Sequence, residues 1–321
     1  MNSLLINTIK ICVLAGILVF LPGCNKNTII LEYPDGNNDD NGGGSGNGKT
    51  TLVSFNASIE GRNLLTRAMS PMEKGIQNRV FAFKHPTTNT REAPIAEGLY
   101  VTSSPGVLIG TDGYKMFLDG GVYNFYAVSD NFSTIPPKFQ NGISEPLFNG
   151  IDYLWWHSPE QDVISEQIQV PIVYLHAATQ VVFELSSDET VQLDKLLSAT
   201  ITGPEPGATM NLGTGVIPPT STYDSPDKMG VNGLVCQYIM LPLETNNPMS
   251  LTLEVLFKGG TAPRTYTVDV PVPDGALKAG NSYLFSAVIG DTSVEFPSVS
   301  IKHWTDVDET GNPVYPTVRN Q

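Results

Sequence analysis

A cysteine placed directly after an apolar segment is the feature of this sequence that most clearly predicts chemistry. The apolar segment Ile11–Phe20 follows Lys10 and ends in Leu21-Pro22-Gly23-Cys24. It is too short to span a bilayer stably, which is typical of a cleaved export signal. Lipoprotein signal peptidase requires a small residue before the cysteine, so we expect acylation of the Cys24 thiol and removal of residues 1–23. An ordinary secretory signal with an incidental cysteine is the alternative.

The other reactive side chains do not combine into a catalytic or metal-binding set. The histidines, none of them at metal-ligand spacing to another, are His85, His157, His176 and His303. The sequence contains no nucleophile elbow and no phosphate-binding loop, and no local motif nominates a pair of catalytic carboxylates. Cys236 lies in an apolar, strand-like segment, where a buried, inert thiol is expected. We therefore expect no enzymatic activity, no metal and no cofactor.

Two further features bear on binding partners. The formal net charge is −14, and lysine and arginine do not cluster, which argues against nucleic-acid binding. Tyr153, Trp155 and Trp156 could stack on a sugar ring, which would fit a carbohydrate-binding surface lipoprotein. The alternative is that these aromatic residues pack at a junction between domains.

The segment behind Cys24 predicts a tether. Residues 24–50 are rich in Asn, Asp and Gly and carry too few apolar side chains to order themselves. Such a segment would let a folded body stand away from the membrane.

From residue 51 onward the pattern predicts an all-β protein. Val53, Phe55, Ala57 and Ile59 alternate with polar residues, as expected of a strand with one buried face. Similar runs recur and are separated by turns rich in Gly, Pro and Asn, which favours β-sandwiches. Only Glu189–Ser198 has a helical pattern. We predict two tandem domains, an N-terminal one at 51–165 and a C-terminal one at 166–321.

Several segments together resemble the fimbrillins of Bacteroidales, which are the subunits of type V pili. The matching segments are Thr66-Arg67-Ala68 followed by Val80–Phe83, then Tyr123–Ala127, His176–Phe183, Leu277–Phe285 and Val299–Trp304. Their order and spacing carry the resemblance, which covers roughly residues 51 to 305.

The resemblance implies two transthyretin-like β-sandwich domains and a particular route of assembly. The precursor would be delivered to the outer membrane as a lipoprotein and cut after an arginine by an arginine-specific protease. The first strand would then leave, and a C-terminal strand of another subunit would fill its place in a cell-surface fimbrium. A host or bacterial receptor is a further partner that such a surface protein implies.

Within this scheme the sequence nominates specific residues. We expect cleavage between Arg67 and Ala68, with Arg62 as the alternative arginine, because this segment is mostly polar or small. The strand to be expelled carries Val53, Phe55, Ala57 and Ile59. The candidate donor strand carries Val294, Phe296, Val299 and Ile301. The tail Val314–Val318 is a weaker donor candidate. Shaft, tip and anchor roles stay open.

Overall fold

Alternating buried and exposed side chains produce strands throughout the described chain. The computed structural model describes residues 50–60, 69–158, 160–302 and 304. The strands of its first part are β1 (Thr50–Glu60), β2 (Met69–Pro71), β3 (Gln77–Lys84), β4 (Ala96–Ser104), β5 (Val107–Gly110), β6 (Met116–Asp119), β7 (Gly121–Ser129), β8 (Phe139–Gln140), β9 (Ile143–Ser144), β10 (Leu154–His157), β11 (Gln161–Val163) and β12 (Gln167–His176).

The second part continues in the same way. Its strands are β13 (Thr179–Ser187), β14 (Leu193–Pro204), β15 (Tyr223–Lys228), β16 (Gly230–Asn232), β17 (Val235–Met240), β18 (Leu243–Glu244), β19 (Met249–Phe257), β20 (Arg264–Val270), β21 (Ala276–Leu277), β22 (Ser282–Ile289) and β23 (Val294–Lys302). Thr111–Gly113 and Pro273–Gly275 form single 3-10 turns. The prediction of an all-β protein is confirmed.

The first strands form one ten-stranded sheet. Its main order is β10-β12-β1-β5-β4-β3-β7-β11, and β2 and β6 also pair with β1. An additional pairing of β10 with β7 joins distant parts of this order. The sheet encloses a core to which β1, β3, β7 and β12 all contribute buried side chains.

A five-stranded and a four-stranded sheet form a sandwich in the second part. Their orders are β16-β17-β13-β22-β23 and β15-β14-β19-β20. The inner faces of both sheets share one hydrophobic core, which includes Phe183 and Phe285 of the five-stranded sheet and Leu251 and Val255 of the four-stranded sheet. A third cluster joins residues of β3 and β7 to residues near Met210 and Leu241 and so connects the two parts of the chain.

Strand β12 belongs to the first sheet by its hydrogen bonds. It pairs in parallel with β1 and in antiparallel with β10. The division at residues 165 and 166 stays a prediction, and this pairing groups Gln167–His176 with the strands that precede it.

The helix expected at Glu189–Ser198 is wrong. Residues Leu193–Pro204 form β14 instead, which pairs with β15 and β19. Register shifts between Leu193 and Lys195, and between Leu196 and Ser198, mark bulges in this strand. Because a bulge adds one residue between inward-facing positions, buried Leu196 and Ala199 lie three residues apart. That spacing imitates one face of a helix.

Candidate functional site

Strand β1 lies between other strands along most of its length. On one side it pairs in parallel with β12, with Leu52 opposite Gln167 and Ile59 opposite Tyr174. The Leu52 amide donates to the Glu166 carbonyl at 3.0 Å, which begins this ladder. The partners are far apart in the sequence, so the ladder depends on the folded sheet.

The other side of β1 contacts three short strands. Residues 50–53 pair with β6, Asn56 pairs with Val107 of β5, and residues 58–60 pair with β2. The Ala57 amide donates to the Gly106 carbonyl at 2.8 Å. Removal of β1 would therefore leave unpaired backbone groups on both flanks, a template for another extended segment.

The inner face of β1 is apolar and almost completely buried, as its alternation predicts. Val53, Phe55 and Ala57 are 2%, 1% and 2% exposed, and Ile59 packs partly against the same core. The Phe55 ring makes edge-to-face contacts with Tyr100 and Phe125, at centroid distances of 5.2 and 5.7 Å. These side chains fill a slot that only their removal would open.

The predicted processing residues lie in the chain between β1 and β2. Arg62, Arg67 and Ala68 are outside the described residues, and so are Cys24 and the predicted signal peptide. The ends of β1 and β2 that flank this connection are paired, with Glu60 opposite Met69.

The candidate donor segment forms β23, the last strand of the five-stranded sheet. It pairs with β22 and ends the strand order, so its other edge carries no ladder in the described chain. Val294 and Phe296 are half-buried against the core of the sandwich. Val299 and Ile301 are 43% and 62% exposed. The Val314–Val318 tail lies outside the described residues.

The aromatic residues considered for sugar stacking are packed within the protein. Tyr153 is 3% exposed, and its hydroxyl accepts a hydrogen bond from the Phe148 amide. The indole of Trp155 donates to the Leu212 carbonyl at 2.7 Å and packs in the third cluster, and Trp156 packs on the first core. This arrangement favours the packing interpretation over a stacking platform.

One polar cluster was not predicted from the sequence. His176 Nδ1 lies 2.7 Å from Asp152 Oδ1, and Asn131 donates to Asp152 Oδ2 at 2.9 Å. Nearby Asp130 accepts a hydrogen bond from Thr134. Burial, with a smaller contribution from Asp152, raises the pKa of Asp130 to about 6. No local motif marks these residues, since the fold brings them together from separate segments.

The remaining reactive groups have ordinary structural surroundings. Cys236 is fully buried, and burial raises the pKa of its thiol. Burial lowers the pKa of His157, which stacks on Tyr126. Within residues 50–60, 69–158, 160–302 and 304, no group of three or more His, Cys, Asp and Glu side chains is arranged to hold a metal ion. No helix among these residues is long and apolar enough to cross a membrane.

Solved structures with the same fold come from Bacteroides species. A candidate cell adhesion protein from Bacteroides uniformis aligns with a TM-score of 0.60 at 17% identity, covering 80% of this chain and 100% of its own. One from Bacteroides fragilis gives 0.54 at 15%, covering 80% and 98%, and one from Bacteroides ovatus gives 0.55 at 14%, covering 79% and 98%. These likenesses establish the fold.

Sequence comparisons address the family directly. A search of curated proteins gave no match. The fimbrillin-like family model matches residues 66–304, which is most of the chain and includes the segments that carry the resemblance. The chain belongs to the fimbrillin-like family.

Proposed function

We propose that the protein is a structural and adhesive subunit of a cell-surface fimbria, built from two tandem transthyretin-like β-sandwich domains and without catalytic activity. It is exported as a lipoprotein through Cys24 and held at the outer membrane. An arginine-specific protease cuts between Arg67 and Ala68. Strand β1 then leaves, and a strand of another copy takes its place. Membership of the fimbrillin-like family supports the fimbrial role.

The observation that carries the proposal is the position of β1. It is the first described strand, it lies between β12 on one side and β6, β5 and β2 on the other, and it supplies a complete apolar face to the core. Before cleavage, the connection to β2 keeps it in place. After cleavage only noncovalent contacts hold it, so a strand from another molecule can compete for the same slot.

The energy of the exchange comes from refilling the slot. Full burial of a side chain such as valine, isoleucine or phenylalanine contributes about 1.5–3 kcal/mol. A cut chain that has lost the buried side chains of Val53 and Phe55, together with the partly buried Ile59, is therefore destabilised until another strand enters the slot. The gain is reduced by the entropy lost when two molecules associate.

Cleavage also changes where the protein is held. The lipid-bearing Cys24 and strand β1 lie on the same side of Arg67 in the sequence. After a cut at this arginine, the folded body is linked to its membrane anchor only through the noncovalent contacts of β1, so the departure of β1 both frees the body and opens the slot. A subunit that resists the cut would stay at the membrane, as an anchor should.

The cleavage site can be tested with matched lysine variants. The full precursor is treated with an arginine-specific protease, and the new N-terminus is sequenced. Arg67→Lys keeps the charge and should block the cut, whereas Arg62→Lys should not. The expected product begins at Ala68 and forms a ladder of masses on unboiled dodecyl sulfate gels. A product that begins at Asn63, or a cut chain that stays monomeric, would reject this scheme.

A further inference from the structure

This inference rests on the proposed function and concerns which segment of a second copy fills the slot left by β1, and in which register. The slot accepts side chains at every second position of an extended strand that runs parallel to β12. From the start of the ladder, these positions hold a valine, a phenylalanine and an alanine, namely Val53, Phe55 and Ala57. A replacement strand must offer similar shapes at the same spacing.

Strand β23 repeats this pattern. Val294, Phe296 and Ser298 present a valine, a phenylalanine and a small residue at alternate positions. Ala57 is 2% exposed within the core, so a long side chain at the third position would displace its neighbours. Serine is small enough for that place.

The present surroundings of β23 make it the strand of its sheet that can be spared. Among the described strands it pairs with β22 alone, and Val294 and Phe296 are half-buried, whereas every residue of Pro297–Lys302 is exposed. Val53 and Phe55, in the slot, are almost completely buried. Val294 and Phe296 would therefore bury more surface in the slot than they do in their own sheet.

The pairing of β23 with β22 also shows which apolar side chains of β23 can enter the slot together. A shift between Ser286 and Val288 marks a bulge, because Val288 pairs with Glu295 and Ser286 with Ser298. The bulge lets Val294 and Val299, five residues apart, both face the core side of their sheet. The ladder of β1 with β12 has no such shift, so a strand that follows it cannot direct both residues into the slot.

We propose that in the assembled fimbria Val294, Phe296 and Ser298 of one copy occupy the places of Val53, Phe55 and Ala57 of the next copy. Val299 and Ile301 then lie on the outer face of the new strand. Pro297 takes the place of Asn56. Along β1 the backbone amides point alternately to its two sides. The Leu52 amide points toward β12 and the Ala57 amide toward Gly106, so the Asn56 amide also points toward β12. Proline at that place therefore gives up one ladder hydrogen bond.

Cysteine pairs distinguish this register from the alternatives. Ser54 lies opposite Gln169 in the ladder, and Glu295 takes the place of Ser54 in the proposed register. One copy carries Gln169→Cys and the other carries Glu295→Cys, and both are cleaved at Arg67 before mixing with a short bis-maleimide. Cys236 is fully buried and serves as the internal unreactive thiol. The expected result is a shift from monomer to dimer mass for this pair.

Two other donor variants serve as matched controls. Ser300→Cys occupies the place of Ser54 if Val299 enters the position of Val53, and Tyr315→Cys does so if Val314 enters it. Cross-linking through either control instead of Glu295→Cys would overturn the proposed register. If the mixture forms no ladder of masses at all, the proposed function fails, and the two failures are thereby distinguished.

A size test in the third position is independent of cross-linking. Ser298 is exposed in β23, so Ser298→Leu should leave the monomer folded with an unchanged denaturation midpoint. In the slot, the same leucine would overfill the place of Ala57, and the ladder of masses should be lost. Ser300 is also exposed in β23, and in the proposed register it takes the partly buried place of Ile59. The Ser300→Leu variant should therefore polymerise. Equal polymerisation of both variants would overturn the register.

Discussion

The indole of Trp304 stacks on the imidazole of His176, with ring centroids 3.9 Å apart and planes inclined by 3°. His176 ends β12 of the ten-stranded sheet, and Trp304 follows β23 of the five-stranded sheet. At the edge of the same imidazole, Nδ1 lies 2.7 Å from Asp152 Oδ1. This contact therefore ties the end of the candidate donor strand to the other part of the protein.

Removal of the indole should loosen β23. Trp304→Ala deletes the stacked ring and its packing on the third cluster, which we expect to lower the free energy of unfolding by about 1–3 kcal/mol. Among the described strands β23 pairs with β22 alone, so its amides should exchange hydrogen faster than those of β13, which lies between β17 and β22. Hydrogen-exchange mass spectrometry of the uncut chain measures this. Trp304→Phe keeps a ring and should retain most of the protection; equal exchange in all three proteins would contradict the argument.

The pKa of Asp130 predicts a specific dependence of stability on pH. Burial raises this pKa from 3.8 to about 6, so the folded chain keeps a proton that the unfolded chain releases between these values. Stability from this group is full below pH 3.8 and is lost as the pH rises through about 6. The loss should approach about 3 kcal/mol.

Asp130→Asn provides the comparison for the pH effect. The amide cannot ionise, so denaturant unfolding of the variant should lack the part of the pH dependence that Asp130 contributes. The difference between the two proteins therefore reports on Asp130 together with its interaction with Asp152. If the two stability curves run parallel from pH 4 to pH 7, the folded environment does not oppose ionisation of Asp130.

The sequence carries information about strands wherever alternation is uninterrupted. Val53, Phe55 and Ala57 face one core without a bulge, and the predicted buried face of β1 is confirmed. Strand β14 was missed because its bulges place buried Leu196 and Ala199 three residues apart. A bulge cannot be read from the pattern of a single strand, since it is defined by the register of the partner.

Long-range pairing is the part of the candidate site that could not be predicted. Ser54 donates to the carbonyl of Ile168, 114 residues later, and no local signal specifies that β1 and β12 run parallel. The contact of His176 with Trp304 is similar, because each residue belongs to a separate segment of the family resemblance and only the fold brings the rings together.

The packing of Trp155 predicts an effect of adding one methyl group. Gly215 has φ +70°, and a Cβ there would lie 2.4 Å from the indole of Trp155. Gly215→Ala should therefore displace the ring, lower the free energy of unfolding by about 1–3 kcal/mol and shift the tryptophan emission. Gly233→Ala is the matched control, because Gly233 also has a positive φ but has nothing within 4 Å of its added Cβ. Equal losses in both variants would show that backbone strain, not the indole, sets the cost.

Two phenylalanines should have opposite effects before and after cleavage. Phe55 is 1% exposed between Tyr100 and Phe125, so Phe55→Ala should destabilise the uncut chain by about 3–5 kcal/mol. Once β1 has been discarded, the same substitution should have no effect on the polymer, because the altered residue is gone. Phe296→Ala should cost the uncut chain less, since Phe296 is only half-buried, but it should make the polymer dissociate at lower denaturant.

Both variants are measured by denaturant unfolding of the uncut chain and by dodecyl sulfate gels of the cleaved product at increasing temperature. The uncut chain reports on the slot filled by its own strand, and the gel reports on the slot filled by a neighbour. A polymer weakened by Phe55→Ala would mean that β1 stays in place after cleavage. A polymer unaffected by Phe296→Ala would mean that its donor lies outside β23, and the tail Val314–Val318 would then be the segment to delete.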